Sequence, residues 1–187
     1  MNETKINELE YVANSLILDW YIDADGVLLR SVDAVVEILN ARFNKSILPQ
    51  DIISWNFSCS FDVTDQYIED IFSSDEFFER VKFQDGAIDF LKRNKRWANV
   101  ITKGTDRNLE LKRKLFANNG LGDINIIGLP LNISKDIVDM KNGVFVDDVV
   151  SNLNDVRTAR FKVLFKEYDN YTQWSDGWNG TILRSWK

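Results

Sequence analysis

The 187-residue sequence contains no histidine. That absence excludes Ser-His-Asp and Cys-His nucleophile systems, HExxH metal sites, histidine-bearing zinc fingers and imidazole acid-base pairs together. Any acid-base chemistry must come from carboxylates, lysine, tyrosine or one thiol. Cysteine is nearly absent as well: Cys59 stands alone, so no intrachain disulfide can form and a reducing compartment is expected. With two prolines and nine glycines there is no conventional linker, and no apolar run reaches the roughly 18 residues of a membrane span. Met1 to Glu10 is too polar for a signal peptide. A cytoplasmic protein without a membrane partner is the expectation.

What is present suits one folded domain. At roughly 150 residues per domain the length allows one core with a small appendage, and 44% hydrophobic with 28% charged residues is an ordinary globular balance. The net charge of -6 disfavours a nucleic-acid partner. Two basic runs, 92–96 and 112–114, read as solvated helical faces.

Short apolar strands alternate with amphipathic helices. Strands are predicted at Trp20–Ile22, Asn99–Ile101, Ile124–Ile127, Val144–Val146 and Phe161–Phe165, and helices at Ala87–Asn94, Arg107–Asn118, Lys135–Met140 and Ser151–Arg160. This alternation implies an α/β fold of three layers with a parallel sheet. From about Ser31 to Gln84 the spacing turns helical around an aromatic loop that includes Trp55, Phe57 and Phe61. We therefore expect a core built from 1–30 and 85–187, and a small helical cap at 31–84 inserted after the first predicted strand, over the strand ends where open α/β sheets bind ligands.

Three predicted strands end in residues suited to phosphate or metal chemistry. The first runs into Asp23-Ala24-Asp25-Gly26-Val27-Leu28, in which two carboxylates on one side of an extended chain can divide attack and proton transfer. A solvated turn is the plainer alternative for a bare DxD. Another ends at Asp147-Asp148, which could ligate Mg²⁺ or simply cap the following helix. Thr102-Lys103-Gly104 offers a hydroxyl and loop amides for a phosphate, and Lys135 could neutralise phosphate charge or be an ordinary surface lysine.

In this order, these motifs resemble the haloacid dehalogenase-like phosphohydrolases over nearly the whole chain. Within that superfamily the sequence is most similar to the 5'(3')-deoxyribonucleotidases, through 51–57, 85–91 and the tail Val163–Asn170 with Arg184-Ser185-Trp186. It departs from them in Asp85-Gly86-Ala87, where proline is common at the first position, and in Thr102-Lys103-Gly104. The resemblance implies a Rossmann-like fold, Asp23 as nucleophile, Asp25 as general acid and base with a raised pKa, and Thr102 and Lys135 on the phosphoryl group. It also implies Mg²⁺ at Asp23, Asp25 and the Asp147-Asp148 pair. The expected activity is a phosphatase for a small phosphomonoester, in the first instance a nucleoside monophosphate whose base stacks on Trp55, Phe57 or Phe61. The alternatives are another phosphomonoester, a nucleic-acid 3'-phosphate, or a silent nucleotide- or partner-binding protein. Trp174, Trp178 and Trp186 could line a homodimer interface, although packing within the tail is the preferred reading.

Overall fold

The computed structural model describes residues 2–53, 57–168 and 176–187. Its centre is one seven-stranded, wholly parallel sheet: β1 (Asn2–Thr4), β2 (Trp20–Ile22), β3 (Ala98–Lys103), β4 (Asn125–Leu129), β5 (Val144–Asp147), β6 (Phe161–Phe165) and β7 (Thr181–Leu183), in the spatial order β1-β7-β6-β5-β2-β3-β4. The period-two alternation of each strand divides the core in two. Trp20, Ile22, Val144, Val146, Val163 and Phe165 face one apolar cluster, and Tyr21, Phe145 and Leu164 face the other. The first cluster is covered by α1 (Ile6–Leu16), α6 (Ala87–Arg93) and the insertion helices, with Phe116 of α7 (Asp106–Asn118); the second is covered by α8 (Val150–Asp155). Burial on both faces is why these strands read as continuous apolar runs.

The insertion comprises α2 (Ser31–Phe43), α3 (Ser58–Phe61), α4 (Asp65–Phe72) and α5 (Asp75–Arg80). Thr64 and Ser74 cap α4 and α5 through their side-chain oxygens. The chain enters and leaves side by side: Arg30 N–H donates to Lys82 C=O and Gln84 N–H to Leu28 C=O, both at 2.8 Å. Phe57 and Phe61 are fully buried in the first cluster, so they present no open ring face for a base. Trp55 lies outside the described residues.

Several expectations change. The helix predicted at 135–140 is one 3-10 turn at Lys135–Ile137, and that predicted at 151–160 stops at Asp155. Strands β1 and β7, the outer pair on one side of the sheet, and helix α1 were not predicted, so among the described residues the insertion follows the second strand. Trp186 is buried against Phe90 and Phe165, with ring centroids 4.6 and 5.8 Å away, which removes it from any dimer face. Trp178 is half-buried and donates to Thr181 C=O, while Trp174 is not among the described residues. No helix among the described residues is long and apolar enough to cross a membrane.

Candidate active site

Strand order reverses direction at β2, which lies between β3 and β5, and the crevice beyond the carboxyl ends of these three strands is where such sheets bind ligands. Asp23 continues β2, its N–H donating to Val146 C=O at 2.9 Å. The chain then turns sharply, with Leu28 and Leu29 N–H groups returning to Ala24 C=O. Gly26 is required in that turn twice over: its φ is +75°, and a Cβ there would lie 2.3 Å from an Asp148 carboxylate oxygen. The indole of Trp186 donates to Val27 C=O at 2.8 Å and braces the same turn from the tail.

Four predicted residues form a buried chain of charge. Lys135 Nζ lies 2.7 Å from Asp23 Oδ1 and 2.7 Å from Asp147 Oδ2. Asp147 also accepts from Val149 N–H at 2.9 Å and from the Asn152 amide at 3.1 and 3.2 Å, so both its oxygens are occupied. Asp148 is the opposite case: it is buried, yet neither oxygen has a hydrogen-bond partner among the described residues. One oxygen from each of Asp23, Asp147 and Asp148 lies within 4.8 Å of the others. Buried carboxylate oxygens are rarely left orphaned, and a hard cation is the partner that fits an all-oxygen set. Asp148, with Asp23, is thus the fourth-strand acid available to a cation. Asp147, also expected to serve as a ligand, belongs to the same triad, with its oxygens shared with Lys135, Val149 N–H and Asn152.

The electrostatics follow from burial. Desolvation raises the pKa of Asp23 to about 6, Lys135 opposes the shift, and Asp147 and Asp25 add to it. Desolvation, then Asp147 and Asp23, raises that of Asp148 well above the ordinary range. Burial alone would push Lys135 down, but the carboxylates of Asp147 and Asp23 reverse this and hold it above a normal lysine.

The second half of the site contains a surprise. Thr102 is buried at the end of β3, and its hydroxyl accepts from Lys112 Nζ at 2.8 Å. The same ammonium pairs with Asp25 Oδ2, while Ser31 donates to Asp25 Oδ1 at 2.8 Å. Asp25 is therefore tied to a lysine and a serine. Lys112 is 1% exposed, which corrects the reading of 112–114 as wholly solvated; Arg113 and Lys114 are exposed as expected. The missed signal is that Asn108, Lys112 and Phe116 share one stripe at i, i+4 and i+8, and all three are buried.

Gly104 does not serve as expected either. Its N–H is spent on Leu129 C=O at 3.0 Å, so it is not a loop amide waiting for phosphate. A Cβ at 104 would fall 2.2 Å from Asn108 Oδ1, and Asn108 in turn donates to Phe72 C=O at 2.5 Å. Glycine here admits a side chain that ties the insertion to the core. Lys103, Asn108, Phe72, Ser73 and Leu131 line a cavity of about 60 Å³ beside that tie.

No protein-family model matches the chain, and no curated protein matches it in sequence. Solved structures do. A haloacid dehalogenase-like hydrolase from Streptococcus pneumoniae superimposes with a TM-score of 0.58 at 10% identity, covering 90% of this chain and 94% of that one. A predicted phosphoglycolate phosphatase from Haemophilus somnus gives 0.60 at 13%, covering 89% and 93%. A hydrolase of the same superfamily from Deinococcus radiodurans, solved with phosphate and sodium, gives 0.58 at 14%, covering 89% and 90%. At such identities the likeness is one of architecture, and on it the chain has the haloacid dehalogenase-like fold.

Proposed function

We propose that the protein is a Mg²⁺-dependent phosphomonoesterase working through an aspartyl-phosphate. One observation carries this reading: Asp23, Asp25, Thr102, Lys135, Asp147 and Asp148, drawn from three adjacent strand ends and one loop, lie together in two ion-paired groups joined through Asp23-Ala24-Asp25. The phosphatase and phosphate-bound hydrolase among the structural neighbours lend it support.

Asp23 and Asp148, with the main-chain carbonyl of Asp25, would hold the cation, which supplies charge neutralisation between carboxylate and phosphoryl oxygens. Asp23 attacks phosphorus, and a pKa of about 6 leaves it largely ionised near neutral pH. Lys135 makes two ion pairs, leaving one ammonium hydrogen for a phosphoryl oxygen. Thr102 donates its hydroxyl hydrogen to another. Asp25 gives a proton to the departing alkoxide and then takes one from the water that cleaves the acyl phosphate.

Nucleoside monophosphates are the substrate class suggested by the sequence resemblance. The burial of Phe57 and Phe61 leaves Trp55 as the remaining stacking candidate of the three. The test is Mg²⁺-dependent phosphate release from deoxyribonucleoside monophosphates, sugar phosphates, phosphoglycolate and p-nitrophenyl phosphate, with Asp23→Asn alongside. Turnover lost in Asp23→Asn supports the phosphatase reading, and dUMP or dTMP no better than sugar phosphates would remove the nucleotide assignment alone.

A further inference from the structure

Lys112 has no part in the chemistry described above, yet its ammonium sits inside it. Among the described residues it meets three acceptors: Asp25 Oδ2, Thr102 Oγ1 at 2.8 Å and Lys103 C=O at 3.2 Å. An ammonium has three hydrogens, so the full complement is spent. None is left for a substrate unless one of these bonds is given up, in contrast to Lys135.

The consequences fall on the two residues it touches. With Oδ2 on Lys112 and Oδ1 on Ser31, both oxygens of Asp25 are fixed and so is the plane of its carboxyl group. Thr102 Oγ1 accepts from Lys112, and its own hydrogen has only a 3.5 Å contact to Lys103 C=O. That hydrogen is free to turn to a phosphoryl oxygen. Orientation of this kind is worth much in a transfer reaction, since misplacement by about 1 Å can cost roughly 10²-fold in rate.

Building on the phosphatase reading, we propose that Lys112 is a positioning residue, one buried cation that sets the acid-base carboxyl of Asp25 and uses Thr102 Oγ1 and Lys103 C=O as its own anchors. It acts through Asp25 when the leaving group needs a proton and again when water attacks the acyl phosphate. A lysine kept only for packing or charge balance would affect stability, and it would affect all substrates alike.

The experiment compares wild type, Lys112→Met, Asp25→Asn, Asp25→Asn/Lys112→Met and Asp23→Asn on β-glycerol phosphate and p-nitrophenyl phosphate. Nitrophenolate leaves without a proton, so Lys112→Met should keep its pre-steady-state burst within about 5-fold, while steady-state turnover of the alkyl ester falls by roughly 10²-fold. In the Asp25→Asn background the same change should cost less than about 3-fold, because the residue it acts through is already disabled. Equal losses on burst and alkyl turnover, or a further loss of about 10-fold or more in the Asp25→Asn background, would overturn the proposal. Should Lys112→Met fail to fold because it strands a carboxylate, the double variant removes both charges, and its comparison with Asp25→Asn decides alone. A wild type without activity, or an Asp23→Asn variant as active as wild type, sinks the phosphatase reading and this inference with it. Activity lost in Asp23→Asn but untouched in Lys112→Met sinks this inference only.

Discussion

Asp148 is the most consequential single residue, because two buried oxygens without partners destabilise a fold unless something satisfies them. The sign of the pH effect follows from the raised pKa values. Between about pH 4 and about pH 6 the folded state keeps a proton on Asp23 that the unfolded chain has lost, so this contribution to stability is full in acid and is lost as pH rises through about 6. Asp148 shifts the same way and adds to it. We expect the metal-free wild type to lose Tm relative to Asp148→Asn as pH is raised from about 5 to about 7.5. We also expect Mg²⁺ to raise Tm by several degrees in wild type near neutral pH and to do so barely at all in Asp148→Asn. Thermal melts across pH with and without Mg²⁺ check both, and a larger Mg²⁺ effect at acid pH than at neutral pH would contradict the argument. A second residue-scale prediction concerns Gly26: Gly26→Ala should lose stability by more than the roughly 1 kcal/mol of a left-handed alanine, because its methyl meets Asp148, and Mg²⁺ affinity should fall with it. Isothermal titration and denaturant melts read the two effects separately. Asp23, Asp25 and the Asp147-Asp148 pair were legible because carboxylates at the ends of apolar strands stand out against their surroundings. Lys112 was not, because a lysine in a run of three basic residues looks the same whether its helix turns it outward or inward.

At the scale of elements, α7 does more than cover the sheet. Its first turns reach the insertion through Asn108 to Phe72 C=O, Ser73 to Thr105 at 2.8 Å, and Arg107 to Asp75 at 2.8 and 3.0 Å. Gly104→Ala must push the Asn108 amide aside, so it should behave like Asn108→Ala. Each should speed amide exchange over α4 and α5 by an amount corresponding to about 1–2 kcal/mol. The double variant should exceed neither single one by much, since both break the same bond. Strongly additive effects in hydrogen-exchange mass spectrometry would contradict this. Elements were legible in proportion to their burial more than their length. β2 has only three residues but all are buried and apolar, whereas α1 has eleven with only Ile6 and Ala13 buried, β1 is the polar Asn2-Glu3-Thr4, and β7 offers only Ile182 and Leu183. Around Lys135 the sequence has helical spacing, but the chain must turn at once so that the lysine can reach Asp23 and Asp147, and one 3-10 turn is the result.

For the whole molecule, the tail acts as a brace on the turn that carries Asp25. Trp186 is enclosed by Phe90 and Phe165, and its indole holds Val27 C=O. Trp186→Ala should cost about 3–5 kcal/mol, as large buried aromatics do. Trp186→Phe should retain most of that packing while losing the indole bond, and should reduce turnover more than its smaller Tm change would suggest. Paired kinetics and melts test this, and unchanged turnover in Trp186→Phe would show that the turn needs no brace.

The edge pairing of β1 with β7, in which Asn2 meets Thr181 and Thr4 meets Leu183, has a bearing on how the molecule assembles. Contacts so distant in sequence form late, because closing a long loop costs entropy before any contact repays it. During synthesis β1 precedes its partner β7 by more than 170 residues and must wait for it, while β2, β3 and β5, which bear the candidate site, can already lie together. The order of folding would therefore run outward from the chemistry, with the first strand of the sheet in sequence the last to find its place.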